Sequence, residues 1–577
     1  MNRILLLTMG LFLPLLAHAW PQDVPKVLSV QDEKTYRQLF QAQRALNTVK
    51  AQRLRQQVQN KLLLGHVAAE RLLHPKTYSH YPDLKNWLAG YNDHPQAAAI
   101  YKLANSRAPA GASHKHPRTR HASLARYTDP NQHPIKIETD LDLSPANSDM
   151  AFKVRTHIRH LKRQENWLKA VDLLDTNAAP ALLGPKNWAE MAVPVAWQLF
   201  RQGESQHAFS LMRRTARFPV PERPDALWLA GLAAWKVQDY DAAAKHFRAL
   251  VFLTPKGSRA YTRAAWWAGR AYNALKRPMV GRTFHKMAAN HPTTFYGQLA
   301  FSSMDKPLKI NWKKPDYQPQ TLQKLLQNPA LKRIVALVQV GEYTLAQNEL
   351  KHVYPHLPRG HDATLLALAN RLHLPHAAMV LSLNLKAKTN QYYTGLYPVP
   401  HLWTPTDGYA ADPALLLGVI RQESTFDPTI ESRAGAKGLM QIMPRTANYI
   451  RGKMDETDIP RYYLIHPGLN LSLGQFYLNY LSDKHHGNIV HMLAAYNAGP
   501  GNLQKWLDDS HMNQDDPLLF IESIPFRETR NYVKKVLANY WMYKLRLQPD
   551  ETNHPLRTAL SRAMWPANML ALNSSRK

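Results

Sequence analysis

Apolar residues at helical spacing cover most of this chain. From residue 31 to about 105 they recur every three or four positions with few helix breakers between them. The same spacing returns from 150 to about 302 and from 316 to about 385, where prolines and glycines separate short helices. The pattern predicts a mainly α-helical protein.

The second helical stretch carries small and aromatic residues at offsets that resemble tetratricopeptide repeats. The positions of one unit are Gly231, Ala243, Phe247 and Pro255, echoed imperfectly by Gly269, Tyr272 and Pro292. Paired helices of this kind stack into a superhelix with a long curved surface. We expect an α-helical superhelical domain over residues 20–320, with its Trp and Tyr side chains in the core.

A basic segment rich in Pro, His and Ser interrupts the helices near residues 107–149 and predicts an exposed loop. Its histidines, His114, His116 and His121, raise the question of a metal site. Because no cysteine or carboxylate cluster accompanies them, a solvated basic loop is the better interpretation. We expect no metal and no cofactor.

Proline-rich sequence near residues 395–413 marks the last boundary. It separates a predicted helical linker domain, 321–392, from a final domain, 393–577. Unusual polar placements are densest in that final domain, so we expect the chemistry there.

The first nineteen residues are typical of a cleavable signal peptide: Arg3, an apolar run, and Ala17-His18-Ala19 as the cleavage pattern. A membrane anchor is the weaker alternative, because the run is short and contains Pro14. We expect export to the periplasm with cleavage after Ala19, and no transmembrane anchor in the mature chain. The absence of cysteine from all 577 residues excludes disulfides and lipid-modified cysteine.

The net charge is +31, from 73 basic and 42 acidic residues. In a cytosolic protein this would favour a nucleic-acid partner. Export argues against one and leaves anionic cell-wall polymers, peptide carboxylates and membrane head groups. A generally basic surface with no specific ligand is the alternative.

The stretch "LLLGVIRQESTFDP" contains the sharpest functional signal. Asp412 can cap a helix that starts at Pro413, and its apolar stripe continues to Ile420. The next position on that stripe is Glu423. Burial would raise the pKa of the carboxyl, as a general acid requires. The alternative is a structural carboxyl bonded to backbone donors or to a nearby arginine. Pro428 should end or bend the helix soon afterwards.

Other polar residues of the final domain have structural explanations. Gln441 is structural by itself, and Tyr496 and Asn497 are better explained by capping and packing. Glu522 lies in apolar company and could be a buried acceptor.

One helix end can be predicted in detail. Gly499 should take a left-handed capping conformation, Pro500 should stop the helix, and Asn502 should cap the next one.

Taken together, these residues resemble the soluble lytic transglycosylases of bacterial cell-wall metabolism. The matching elements are Glu423-Ser424-x-Phe426-Asp427-Pro428, Ser432, Gly438-Leu439-Met440-Gln441-Ile442-Met443-Pro444, Asn470, Leu473-Gly474, Tyr477-Leu478, Ala495-Tyr496-Asn497-Ala498-Gly499, Ile521-Glu522-Ser523-Ile524-Pro525-Phe526 and Glu528-Thr529-Arg530. They cover roughly the last third of the chain. Upstream the agreement is one of architecture only.

The resemblance implies a lysozyme-like final domain that cleaves the β-1,4 bond between N-acetylmuramic acid and N-acetylglucosamine. Glu423 would act as general acid and then as base, while the C6 hydroxyl of the muramic acid attacks its own anomeric carbon to give a 1,6-anhydro sugar. Exolytic cutting is favoured. The partners implied are glycan strands and their stem peptides, with no nucleic acid.

The same resemblance gives roles to further residues. Tyr496 would position or hydrogen-bond the acid, and Ser432 and Gln441 would contact N-acetyl and sugar groups. Met443 would pack the floor, Glu522 would support the far wall, and Asn497 is a lesser candidate.

One departure from the family pattern is Asp427, where members often carry Asn. A second carboxylate near Glu423 would permit hydrolysis as in goose-type lysozyme. We expect instead that Asp427 caps the turn before Pro428. A scaffold that binds the wall without catalysis is the rival from another class, and a salt-sensitive nucleic-acid binder is a distant third.

Overall fold

The computed structural model describes residues 20–548 except 119–148, 219, 221, 305–309, 359, 387–391, 401–402, 454–460 and 513–515. Helices dominate these residues, and the only β pairing among them is a pair of isolated bridges that Lys437 makes with Glu431 and Ile442. The predicted mainly α-helical class is therefore confirmed. The predicted signal peptide, 1–19, and His121 lie outside the described residues.

Five helices form the N-terminal part: α1 (Val30–Arg44), α2 (Thr48–Gln57), α3 (Leu64–Leu72), α4 (Tyr81–Tyr91) and α5 (Ala97–Arg107). The part of the basic segment that the structure describes follows α5, and there the Tyr101 ring packs between the rings of His114 and His116.

Ten helices form the superhelix: α6 (Asp149–Arg163), α7 (Trp167–Leu174), α8 (Ala179–Leu183), α9 (Pro185–Arg201), α10 (Ser205–Thr215), α11 (Arg223–Lys236), α12 (Tyr240–Leu253), α13 (Arg259–Ala274), α14 (Pro278–Ala289) and α15 (Phe295–Ser302). The repeat interpretation explains their packing. A Cβ on Gly231 of α11 would lie 2.4 Å from the Phe247 ring of α12, and Gly269 of α13 meets the ring of His285 on α14 in the same way. Trp228 and Trp267 are buried core residues.

The linker region contains α16 (Pro319–Leu325), α17 (Pro329–Gln339), α18 (Tyr343–Val353), α19 (Asp362–Arg371), α20 (Pro375–Lys386) and α21 (Tyr393–Leu396). Its apolar core is shared with α1, α2 and the residues around them, from Val24 to Val67. The backbone N–H of Leu28 donates to the Gln339 side chain, 311 residues further on (3.0 Å). The domain boundaries stay a prediction, but the first helices pack with the linker helices.

The final region contains α22 (Pro413–Glu423), α23 (Pro444–Lys453), α24 (Pro467–Lys484), α25 (Ile489–Ala498), α26 (Pro500–Asp508), α27 (Pro517–Ser523) and α28 (Arg527–Leu547). One continuous apolar core joins these helices to the superhelix. Among the described residues, no helix combines the length and the apolar character that crossing a membrane requires.

Two local predictions were wrong. Helix α22 ends at Glu423, before Pro428 can act, because Thr425 and Phe426 take positive φ angles of 49° and 64°. Asn502 does not cap α26. The helix starts at Pro500, and the Asn502 amide donates back to the Ala498 carbonyl (2.7 Å).

Candidate active site

Glu423 is the last residue of α22, whose start follows the sequence prediction. The Asp412 carboxylate accepts from the Ala414 N–H (2.9 Å), and Pro413 is the first helical residue. Val419 and Ile420 are buried below the glutamate. The stripe therefore anchors the helix and leaves Glu423 at its end, partly buried.

Helix α28 packs directly against α22 and completes the surroundings of Glu423. A Cβ on Gly418 would lie 3.0 Å from the backbone N of Tyr540, so glycine is what lets the two helices approach. Arg421 donates to the Asn539 side chain (2.7 Å), and Tyr540 donates to Asp412 (3.0 Å).

The electrostatics of Glu423 are those of an acid. The pKa of this carboxyl is raised to about 7, mainly by burial and to a smaller extent by the negative charge of Glu528. Hydrogen bonding from Tyr532 opposes the shift. That contact is loose, since the Tyr532 hydroxyl has no partner at full hydrogen-bond geometry among the described residues. A carboxyl whose pKa lies near neutrality suits a group that must both give and take a proton.

Tyr496 lies beside this pair. Its ring is parallel to that of Tyr532, with centroids 6.4 Å apart, and burial together with the Glu423 charge raises its pKa. Its hydroxyl donates to the Met440 carbonyl (2.8 Å) and not to Glu423. In this structure Tyr496 therefore holds the loop opposite, and its expected role of positioning or hydrogen-bonding the acid stays a prediction.

That loop, residues 430–443, holds the other predicted contacts. The Ser432 hydroxyl accepts from the Ala436 N–H (2.9 Å), and the Gln441 amide donates to the carbonyls of Ile430 and Gly438. Met443 is exposed. The Ser432 hydroxyl and the Gln441 amide, which were expected to contact sugar, thus make hydrogen bonds within the loop. Their contact with substrate stays a prediction.

Asn470 anchors the loop from α24. This fully buried side chain accepts from the Met440 N–H (2.7 Å) and donates to the carbonyls of Lys437 and Leu464. Gly438 has φ +80°, and a Cβ there would lie 2.3 Å from the Leu464 oxygen. No other residue type fits this position.

Asn497 and Glu522 are held by other parts of the fold. The Asn497 side chain accepts from the Thr529 hydroxyl on α28 (2.6 Å). Glu522 is fully buried, and its carboxylate accepts from Tyr296 of the superhelix (2.6 Å) and from Lys534 (2.7 Å). The geometry favours the buried-acceptor alternative for Glu522. Its contact with substrate stays a prediction.

Asp427 is held by residues of the turn around Pro428 and by the linker region. Its carboxylate accepts from the N–H and hydroxyl of Thr429 (3.0 and 2.7 Å), and Lys351 lies 3.8 Å away. The second carboxylate that acts on Glu423 is Glu528. Among the described residues, no group of three or more His, Cys, Asp or Glu side chains could hold a metal ion.

The described residues thus join a helical superhelix to a final helical domain in which Glu423 has a raised pKa. Residues 404–518 match the model of the transglycosylase SLT domain family. Residues 523–551, the region of α28, match the soluble lytic transglycosylase helical domain. The resemblance drawn from the motifs is confirmed.

Sequence relatives agree over the final region. The chain is 42% identical over 137 residues to the soluble lytic murein transglycosylase of Escherichia coli K12, which is 23% of this chain and 21% of the relative. It is 33% identical over 147 residues to membrane-bound lytic murein transglycosylase C of Actinobacillus pleuropneumoniae, 22% of this chain and 40% of the relative. The chain thus spans about a fifth of the length of the first relative.

The fold agrees over a longer range. The crystal structure of the 70 kDa soluble lytic transglycosylase from Escherichia coli superposes with a TM-score of 0.53 and 18% identity, covering 90% of this chain and 97% of the other. The structure of a complex of the 70 kDa soluble lytic transglycosylase with bulgecin A superposes with a TM-score of 0.52 at 17% identity. At these identities the likeness shows the fold, a superhelix with a lysozyme-like domain.

Proposed function

We propose that this protein is a lytic transglycosylase that cleaves the β-1,4 bond between N-acetylmuramic acid and N-acetylglucosamine in peptidoglycan. The observation that carries the proposal is Glu423, a carboxyl with a pKa near 7 at the end of a buried helix in a transglycosylase SLT domain. The similar proteins named above, lytic murein transglycosylases, support the same substrate.

In the proposed mechanism, protonated Glu423 gives its proton to the glycosidic oxygen, and the leaving sugar departs. Ionised Glu423 then takes the proton of the C6 hydroxyl as that oxygen closes on the anomeric carbon. The product is a 1,6-anhydromuramic acid end, and no water is consumed. Tyr532 and Glu528 tune the acid. Tyr496, Ser432, Gln441, Met443 and Asn497 would shape the wall that receives the sugars.

The remaining parts of the proposal concern context. We propose that the protein acts in the periplasm after loss of residues 1–19, cuts from strand ends, and meets acidic stem peptides with its basic surface. Sequencing the N-terminus of the exported protein tests the cleavage after Ala19, and the size distribution of released products tests exolytic cutting.

The decisive experiment compares wild type, Glu423→Gln and Asp427→Asn on purified sacculi, with the products analysed by mass spectrometry. Wild type and Asp427→Asn should release anhydro products, while Glu423→Gln should lose at least about 10²-fold in rate because the positioned acid is gone. Reducing ends, heavier by one water, would instead identify a lysozyme-like hydrolase. Binding to sacculi without any product would identify a scaffold.

A further inference from the structure

The turn that follows Glu423 is strained. Thr425 and Phe426 are consecutive residues with positive φ, and Thr is β-branched, which makes this conformation unusual for it. Strain of this kind persists only where the surroundings impose it. What imposes it here also fixes the end of α22, and with it Glu423.

The turn itself supplies only part of the restraint. Ser424 accepts from the Phe426 N–H with its hydroxyl (3.1 Å), and its carbonyl accepts from the Asp427 N–H (3.0 Å). The Phe426 ring is completely buried. The carbonyl of Thr425 points outward from these bonds, toward the linker region.

The Thr425 carbonyl meets His376 at the start of α20. The distance from its oxygen to the histidine Nδ1 is 2.8 Å, and the imidazole is buried. Because the partner is a carbonyl oxygen, Nδ1 must carry the proton and donate it. Burial lowers the pKa of His376, so its ring is neutral near pH 7 and the tautomer is set by this bond.

His376 is itself held by α18. Its backbone N–H donates to the Gln347 side chain (2.7 Å), and Gln347 is buried. One turn along the same face of α18, Lys351 reaches the Asp427 carboxylate (3.8 Å). Two helices of the linker region therefore hold both sides of the turn.

We propose that His376 is a positioning residue for Glu423: by holding the Thr425 carbonyl it keeps the strained turn in place and the acid aimed into the cleft. This inference rests on the proposed function. Without the bond the turn can relax toward negative φ. Glu423, two residues before Thr425, then loses its alignment, and small displacements of a catalytic group cost large factors in rate.

The test compares His376→Ala with His376→Asn, whose side-chain amide can replace the Nδ1–H donor. On soluble uncrosslinked glycan strands we expect His376→Ala to lower kcat about 10- to 100-fold, with KM within about 2-fold of wild type. His376→Asn should recover most of kcat. A purely structural histidine would lower the midpoint of thermal unfolding without this split between kcat and KM or this recovery.

His376→Leu fills the same space without a donor and replaces the alanine variant if that variant does not fold. A folded Ala or Leu variant with wild-type kcat overturns the inference. So does an equal loss in Ala and Asn. In both of these outcomes the wild type is active, and only the role of His376 fails. An inactive wild type would overturn the proposed function, and the inference with it.

Discussion

At the residue scale, Glu423 continues the apolar stripe of α22 and also has the raised pKa that a general acid needs. Burial at the helix end is the largest cause of its raised pKa of about 7, and two neighbours on α28 contribute to that value in opposite directions. The carboxylate of Glu528 favours protonation of Glu423, while the Tyr532 hydroxyl favours ionisation.

These opposed contributions predict opposed shifts of the pH profile. A general acid must be protonated, so kcat/KM should fall as the pH rises through the pKa of Glu423. Glu528→Gln removes a like charge, lowers that pKa, and should move the midpoint down by about 0.2 to 0.5 pH unit, the size expected for an exposed charge. Tyr532→Phe should move it upward. Shifts in the same direction would refute this assignment.

Sequence could identify Glu423 because a carboxylate on an apolar stripe contradicts the helical pattern. It gave no signal for Tyr532, because a tyrosine in an amphipathic helix has the same pattern whether it packs or faces an acid. His376 was equally silent. Its partner is a backbone carbonyl of residue 425, and a sequence carries no record of which carbonyls are exposed.

At the element scale, the pair formed by α22 and α28 carries the site. Pro413 and Asp412 specify where α22 begins, so its start was predictable. Its end was not, because the positive φ angles of Thr425 and Phe426 are imposed by contacts with distant residues. Sequence rules predict that α22 ends at Pro428. In the structure the helix ends five residues earlier, at Glu423, because tertiary packing determines its end.

Gly418→Ala tests the close approach of the two helices. Alanine favours a helix interior over glycine by about 1 kcal/mol, but here its Cβ would lie 3.0 Å from the Tyr540 backbone. We expect net destabilisation of about 1 to 3 kcal/mol and a lower kcat, because Glu423 and Tyr532 lie on the separated helices.

Gly90→Ala is the matched control for this substitution. Gly90 lies in α4, and nothing lies within 4 Å of where its Cβ would be. The midpoint of thermal unfolding should fall for Gly418→Ala and hold or rise for Gly90→Ala. Equal midpoints would show that the interhelical contact gives way without cost.

At the scale of the whole molecule, Glu522 joins the superhelix to the final region. Burial alone would raise its pKa, yet Lys534, Arg263 and Arg530 hold that pKa down at about 2. The hydroxyl of Tyr296, on α15, reaches the same carboxylate. The buried Glu522 carboxylate therefore has partners from both the superhelix and the final region, and these contacts require the two regions to pack in one arrangement.

Lys534→Met should therefore destabilise the protein strongly. Breaking a buried pair by removing one partner costs about 3 to 5 kcal/mol, and we expect a loss toward the lower end of that range because Arg263, Arg530 and Tyr296 still face the carboxylate. Lys245→Met, which breaks an exposed pair with Asp241, should leave stability nearly unchanged. Thermal unfolding of both variants at pH 6 measures the difference.

The pH dependence of this effect has a definite sign. The pKa of Glu522 is depressed in the folded state, so its contribution is present above the ordinary value of 4.5 and is lost as the pH falls toward about 2. The gap between wild type and Lys534→Met should narrow below about pH 4.5. A gap independent of pH would mean that the lysine acts through packing alone.

The shared core of the first helices and the linker helices also determines when the N-terminal part of the chain can finish folding. Ribosomes add about 5 to 20 residues per second, so the 311 residues between Leu28 and Gln339 take roughly 15 to 60 s to synthesise. Throughout that interval α1 and α2 can pack on each other but lack the linker helices that complete their apolar core. The oldest part of each new chain is therefore among the last to become native, and the newborn protein depends for that time on whatever shields it from its neighbours.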